Sequence, residues 1–323
     1  MFQTVPKPPV VLDRAYADPE AVRALVPRNA PYWPTLRYAA SDAELNLLGG
    51  DSSSKPQFVM PWFRGDWAYG TPAVDGAEEI LGNETFAEAA RTVFDAEVVR
   101  PQIVYVNLMA GIPFSGPAHV DVPAFRGIDR REYPVWLMQT MKRSALFEEW
   151  RVSIATAVSW LFHGEGGEFD YWAEGPEKSP SRISAPMDNR AVVGDNDVMF
   201  HRVASVGSAE SAMPQGDPIR SELVYEAGEA EPWAIVDDGA VLARHTERSM
   251  RISVSWKAEV FGDAAEARQR EEHLDDIDLA FVVDRFCTDL EDRGIEYTRP
   301  TDAVHDPAFI STLNGAYPLL APA

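Results

Sequence analysis

The sequence predicts a mainly β protein, a double-sheet jelly roll with helical buttresses at its two ends. Three observations predict it. Period-two apolar stretches separated by Gly- and Pro-bearing turns crowd the middle of the chain, helix-period stretches lie before and after them, and no linker divides the 323 residues in two. The expected layout is one domain over 1–323. It has a mixed helical segment at 1–100, a barrel core at 101–262 with an insertion at 207–249, and a helical segment at 263–323.

Taken in order, DPEAVRALV and SDAELNLLG read as short helices with Asp18 and Ser41 at their N-caps, and DSSSKP (51–56) reads as a loop. FVMPWFRGDWAYGTP is aromatic and broken by Pro and Gly, so it is either strand-and-turn core or a pocket wall. ETFAEAARTVFDAEVV (84–99) is an amphipathic helix. After Pro101 the pattern turns to β, with QIVYVNLMAG as a strand, IPFSGP as a loop and AHVDVPAF as an extended segment. PVWLMQTMKRSALFEEW (134–150) is expected to be helical in its second half. RVSIATAVSWLFHGEGGEFDYWAEG gives two strands around GEGG, with Val152, Ile154, Val158, Trp160 and Phe162 in one period-two register. NRAVVGDNDVMFHRVASVG gives a strand pair about GDND, WAIVDDGAVLARH a hairpin on an Asp-Gly turn, and MRISVSWKAEVF the last strand. From Asp263 the pattern is helical, its acidic run at 271–278 reading as a solvated helix face, and a Pro-punctuated tail follows.

Charge narrows the partners. With 29 Lys and Arg against 51 Asp and Glu, the net charge of −22 repels phosphate backbones and anionic leaflets, which argues against a general nucleic-acid or membrane-surface role. A hydrophobic fraction of 46 % and nine Trp are core-forming, so the acidity coats a globule. The single cysteine, Cys287, excludes an intramolecular disulfide and a Cys-based zinc site, and its helical setting predicts a buried, inert thiol. The first residues lack the apolar run of a secretory signal, and no stretch approaches the ~20 apolar residues that span a bilayer. The expectation is a cytoplasmic protein whose partner is a small molecule, with its oligomeric state open.

Two of the six histidines fall in informative places. In His119-Val120-Asp121, extended backbone turns the imidazole and the carboxylate to the same face. His201 ends the strand NDVMF. Two His and one Asp on a rigid barrel form a facial triad that leaves three octahedral positions open, an arrangement suited to non-haem Fe(II). A His-x-Asp by itself is equally a loop-capping His beside an Arg-paired Asp. Arg251-Ile252-Ser253 adds context, because period two puts its guanidinium and hydroxyl on one face, where they would clamp a terminal carboxylate.

Five pieces stand in order: Tyr105-x-Asn107 leading into Gly111, His119-x-Asp121, Gly166-Gly167-Glu168-Phe169, Gly194 with Phe200-His201, and Arg251-x-Ser253. Through them, over about residues 102–260, the chain resembles the Fe(II)/2-oxoglutarate-dependent dioxygenase superfamily. The resemblance implies a double-stranded β-helix, with Fe(II) held by His119, Asp121 and His201. It implies that Arg251 and Ser253 hold the distal carboxylate of 2-oxoglutarate, with Tyr105 or Asn107 as further contacts. The activity implied is oxidative decarboxylation of 2-oxoglutarate by dioxygen, coupled to oxidation of an unactivated C–H in an amino-acid-like or secondary metabolite. Hydroxylation, desaturation and cyclisation all stay open. Asp121 stands where halogenating relatives carry a small residue, which disfavours halogenation. The chain departs from the pattern in the long interval between His201 and Arg251, read as an inserted loop and hairpin, and Arg220 within it is a competing anchor. Two other classes remain: a cupin-like metal enzyme without 2-oxoglutarate, and a metal-free β-barrel binding module.

Trp160, Gln139 and Arg190 are the candidate substrate contacts, although Trp160, like Tyr171 and Trp172, is also natural core filler and Arg190 a natural surface pair. Gly166 and Gly167 read as turn geometry, and His163, His245, His273 and His305 are not assigned to the metal. Segments 61–70 and 207–249 are the expected lids.

Overall fold

The computed structural model describes residues 5–38, 58–208, 213–319 and 321–322. The helix expected in SDAELNLLG and the loop DSSSKP lie outside the described residues. Strands β1 (Val10–Leu12), β2 (Trp33–Pro34), β3 (Trp62–Tyr69) and β4 (Thr71–Pro72) come from the first hundred residues. β5 (Val98–Met109), β6 (Ala124–Phe125), β7 (Arg151–Leu161), β8 (Phe169–Tyr171), β9 (Ser181–Ile183), β10 (Ala191–Gly194) and β11 (His201–Val203) follow. The last four are β12 (Glu222–Tyr225), β13 (Trp233–Asp237), β14 (Ala240–His245) and β15 (Arg251–Phe261).

A large antiparallel sheet runs β1-β10-β7-β15-β5-β3-β2, with β4 beside β3 and β6 beside β7; a small one runs β11-β8-β9. The chain alternates between them. β5 lies in the large sheet, the segment at His119 bridges β11 of the small sheet, β7 returns to the large, β8 and β9 to the small, β10 to the large, β11 to the small and β15 to the large. That alternation is the winding of a double-stranded β-helix, one form of jelly roll. It corrects the reading of GDND as the turn of a strand pair. Both GDND and GEGG carry the chain from the large sheet to the small, and their flanking strands do not pair with each other.

Period two sorts the long strands. Val104, Val106 and Leu108 of β5 and Ile252, Val254 and Trp256 of β15 pack on the helix side, with Val26, Ile80, Phe86 and Val93. On the other side, Met109, Trp160 and Val192 of the large sheet meet Phe169, Tyr171 and Ile183 of the small one. The described part of the insertion forms a third sheet, β12-β13-β14, which adds Leu223, Trp233 and Ile235 to the helix-side core. Its Asp-Gly turn closes the expected hairpin, Asp238 and Gly239 both taking positive φ (46° and 79°).

Helix ends follow local chemistry. Asp18 and Asn83 cap the helices Pro19–Arg28 and Glu84–Phe94 by accepting from the N–H groups of Ala21 (3.0 Å) and Phe86 (3.2 Å). The second helix stops short of the expected residue 99, because Asp95 turns left-handed and β5 begins at Val98. The expectation for 134–150 was reversed. Its first half is the helix Val135–Ser144, started by the fixed φ of Pro134 and stopped at Ala145 (φ 57°), and only a single 3-10 turn forms at Glu148–Trp150. The acidic run is not a helix face either, since it separates the helices Ala264–Glu271 and Leu279–Asp292. Asp275 within it accepts from Nε and Nη2 of buried Arg126 (2.7 and 2.8 Å), and Asp278 caps the following helix. The tail holds a further helix, Pro307–Ala316. Its Leu313 packs with Cys287, Phe286 and Met141 in a separate helical core. No helix among the described residues is long and apolar enough to cross a membrane.

The small sheet is tied by one acid. Asp170 of β8, fully buried, accepts from Arg182 of β9 (2.5 and 2.9 Å) and Arg202 of β11 (3.0 Å). Burial would raise its carboxyl, but the two guanidinium groups outweigh burial and hold it low. Asp170→Asn is expected to cost about 2–3 kcal/mol in urea unfolding, at or below the low end of the range for breaking a buried pair because Arg182 is half exposed. In the wild type this contribution is complete above the unfolded carboxyl's pKa of about 4 and is lost as pH falls through the depressed folded value. The variant therefore loses that acid-side slope.

Candidate metal and anion site

His119 and His201 meet through the backbone. Each donates its N–H to the other's carbonyl (3.0 and 2.9 Å), which brings the ring centroids to 4.4 Å. The Nδ1 of His119 lies 3.1 Å from the Pro117 carbonyl, and that of His201 lies 3.0 Å from the Met199 carbonyl. A carbonyl only accepts, so each Nδ1 carries the proton and each Nε2 presents a lone pair. Asp121 is held at its backbone, donating its N–H to the Asn196 carbonyl (2.8 Å) and accepting from Gln139 Nε2 (2.9 Å). Its Oδ1 lies 3.7 Å from His201 Nε2. One ligand atom from each of His119, Asp121 and His201 falls within 4.8 Å of the others, a group able to hold a metal ion. His201 is buried, Asp121 half-buried and His119 exposed, so the group is open on one side.

Burial pushes the His201 imidazole down to about 4 against the pull of Asp121, which keeps it neutral and able to ligate. Burial would raise the Asp121 carboxyl, but the Lys257 ammonium, with a smaller contribution from His201, holds it well below the usual carboxylate range. Lys257 Nζ donates to Asp121 Oδ2 at 2.7 Å.

β15 supplies the opposite wall. Arg251, Ser253, Ser255 and Lys257 alternate onto one face, in register with Met109, Asn107, Tyr105 and Ile103 of β5. Arg251 is 1 % exposed. Its Nε donates to the Gly167 carbonyl (2.8 Å), Nη1 reaches Ser253 Oγ (3.4 Å), and Nη2 has no partner among the described residues. Burial lowers the guanidinium pKa to about 9, which leaves it cationic at neutral pH. Gly167 sits at φ +68°, and a Cβ there would meet Arg251 Cδ at 2.6 Å, whereas one at Gly175 (φ +94°) would meet nothing within 4 Å. Gly175→Ala should therefore show only the backbone cost, about 1–2 kcal/mol in urea unfolding. Gly167→Ala should exceed it, and the excess reports the displacement of Arg251.

Two cavities meet at the triad. The inner, about 70 Å³, is lined by the triad with Asn107, Phe169, Arg251 and Ser253. The outer, about 380 Å³, shares Tyr105, His119 and Asp121 with it. A larger cleft of about 450 Å³, between Arg23 and Trp233, contains no triad residue, so size does not mark the site.

Of the sequence candidates, the structure brings together His119, Asp121, His201, Tyr105, Asn107, Arg251 and Ser253. Arg64 lies over the Tyr105 ring (3.8 Å), and Asn107 Oδ1 accepts from Trp62 Nε1 (3.2 Å). The three substrate candidates require correction. Trp160 is fully buried against Phe169, Arg190 pairs with Asp13 (3.4 Å), and Gln139 is committed to the Asp121 backbone; none lines either cavity. The competing anchor Arg220 is 86 % exposed and faces Asp217. The lids need correcting too. Residues 62–69 are β3, an inner strand, and no described residue of 207–249 lines either cavity, because the inserted sheet packs on the helix side. His163, His245, His273 and His305 lie outside both cavities.

Sequence reasoning missed Lys257, Arg64 and Asp197. Lys257 shared the alternating face of Arg251 and Ser253, so the signal was present. Asp197 in the GDND turn is buried with neither carboxylate oxygen partnered among the described residues, and burial pushes its pKa well up; nothing in the sequence distinguishes it from an ordinary turn acid.

No protein-family model matches the chain, and no curated protein matches it in sequence. Among solved structures it is similar to an oxidoreductase of the 2OG-Fe(II) oxygenase family from Burkholderia pseudomallei, at 13 % identity and TM-score 0.38, over 80 % of this chain and 86 % of that one. It is also similar to a prolyl-4-hydroxylase from Pseudomonas putida, at 13 % identity and TM-score 0.37, over 79 % of this chain and 94 % of that one. HygX from Streptomyces hygroscopicus, with nickel, 2-oxoglutarate and hygromycin B bound, shares 10 % identity at TM-score 0.36, over 79 % of this chain and 83 % of that one.

Proposed function

We propose that the chain is an Fe(II)- and 2-oxoglutarate-dependent oxygenase that oxidises a C–H bond of a small molecule. One observation carries the reading: a single cavity joins a cluster of two imidazoles and a carboxylate to a buried arginine whose Nη2 has no partner among the described residues. Glu168 acts on this guanidinium only from beyond ion-pair distance, burying a cation so weakly compensated is costly, and an incoming carboxylate offsets that cost.

Each residue then has a task. The Nε2 atoms of His119 and His201 and Oδ1 of Asp121 would hold the metal, their orientation set by the Pro117, Met199 and Asn196 carbonyls. Lys257 occupies Oδ2, which leaves Asp121 a single oxygen for the metal. Arg251 and Ser253 bind the distal carboxylate of 2-oxoglutarate, while Met109, Val158 and Phe169 keep water from the inner cavity. Fe(II) and 2-oxoglutarate, when bound, would supply oxidative decarboxylation by dioxygen to succinate and carbon dioxide, and with it the oxidising power for the C–H bond. The outer cavity receives the substrate beside His119, where Tyr105 orients it for hydroxylation or, by diversion, for desaturation or cyclisation.

The test is turnover without added substrate. With Fe(II) and ascorbate in air, the wild type is expected to release carbon dioxide and succinate from 2-oxoglutarate in equal amounts, and Asp121→Ala neither. Wild-type succinate no higher than in that variant would sink the reading.

A further inference from the structure

The outer cavity inverts the charge balance of the chain. Acids outnumber bases 51 to 29 overall, yet the cavity wall carries five cations, Arg64, Arg130, Arg131, Lys257 and Arg270, against the carboxylates of Asp121, Asp129 and Glu259. Pairing takes four of the five, one of them to an acid off the wall. Lys257 bonds Asp121 (2.7 Å), Arg131 bonds Asp129 (3.0 Å) and Arg270 bonds Glu259 (3.1 Å), while Arg64 reaches outside the wall to Asp66 (2.7 Å). Arg130 has no acidic partner among the described residues. The Asp121 carboxylate is also the one acid of this wall that a metal would take.

Arg64 is the best-placed of the five, because its partner Asp66 is 47 % exposed and an ion pair so open to water is weak enough to be shared. Its side chain is only 21 % exposed, and its guanidinium lies over the rings of Tyr105 (3.8 Å) and Tyr38 (5.1 Å). Stacking of this kind holds an arginine plane still, so less freedom is lost when it binds a carboxylate. Tyr105 also borders the inner cavity, so a group held by Arg64 lies beside the triad. A positive wall within a strongly negative protein also concentrates anions at one mouth.

We propose that the outer cavity selects a small organic acid as the substrate, its carboxylate held by Arg64 and Arg130 and the carbon to be oxidised turned towards Tyr105 and His119. That the acid is a substrate rests on the oxygenase reading above; the preference for an anion does not.

The test uses 4-fluorobenzoate and its uncharged counterpart 4-fluorobenzamide, followed by fluorine NMR on the full chain. Zinc replaces iron and 2-oxoglutarate is saturating, so that Arg251 is occupied. The acid is expected to bind about tenfold or more tightly than the amide, as a charge-assisted pair gives. That preference should fall several-fold in Arg64→Met and in Arg130→Met, and persist in the surface control Arg220→Met. Arg130 is exposed, so its variant reports even if Arg64→Met misfolds. Equal binding of acid and amide, binding of neither, or an unchanged preference in both arginine variants would overturn the proposal. Repeating the titration without 2-oxoglutarate separates the readings. If the acid binds through Arg64 while 2-oxoglutarate binds nowhere, the anion site stands and the oxygenase reading falls.

Discussion

Arg251→Met is expected to abolish measurable 2-oxoglutarate binding without weakening the fold. By calorimetry on zinc-loaded protein, the affinity should drop by about 100-fold or more, the effect of removing a charge-assisted, buried carboxylate contact worth roughly 3 kcal/mol. Stability should hold or rise, because in the free protein the guanidinium is buried with its Nη2 unpartnered among the described residues, and Met fills similar space without that penalty. Arg251→Lys should fall between, keeping the charge while losing the Nε bond to the Gly167 carbonyl. A melting temperature that collapses in Arg251→Met, with 2-oxoglutarate affinity retained in Arg251→Lys, would mean that the arginine is a structural tie and not an anchor.

The second large effect is on the metal. His201→Ala removes one of three ligand atoms and is expected to weaken binding of Co(II), followed by its visible absorption, by well over the ~100-fold that marks the loss of an outer hydrogen-bond partner. The backbone exchange between residues 119 and 201 needs no side chain, so the bridge should survive and the unfolding midpoint should move little. The two variants dissociate the site. Arg251→Met keeps the metal and loses 2-oxoglutarate, whereas His201→Ala loses the metal and, with it, the chelated co-substrate. Equal cobalt affinity in wild type and His201→Ala would remove the histidine from the site.

Much of this site was legible because it obeys alternation. His119 with Asp121 and Arg251 with Ser253 are each two residues apart on extended backbone, so one rule places each pair on one face, and the same rule extended to Lys257. What was illegible depends on partners distant in sequence. Gln139 looks like a free amide until the fold brings it to the Asp121 carbonyl, and Trp160 looks like a pocket wall until Phe169 covers it. Strand positions were readable from their apolar period, but sheet membership was not. A glycine turn such as GEGG has the same composition whether it closes a hairpin or crosses to another sheet, and packing between sheets decides. At 134–150 the difference is local. Pro134 and the apolar spacing of Leu137, Met138 and Met141 set a helix in the first half, and the signal for it lies in the sequence itself.

In the proposed reading this cavity chelates 2-oxoglutarate on iron. The most direct measurement of that chelation is anaerobic absorption spectroscopy of the wild-type chain. A weak visible charge-transfer band is expected when Fe(II) and 2-oxoglutarate are present together, absent with either alone and lost in His201→Ala. No band with both bound components at saturating concentration, or a band of equal strength in His201→Ala, would contradict the account.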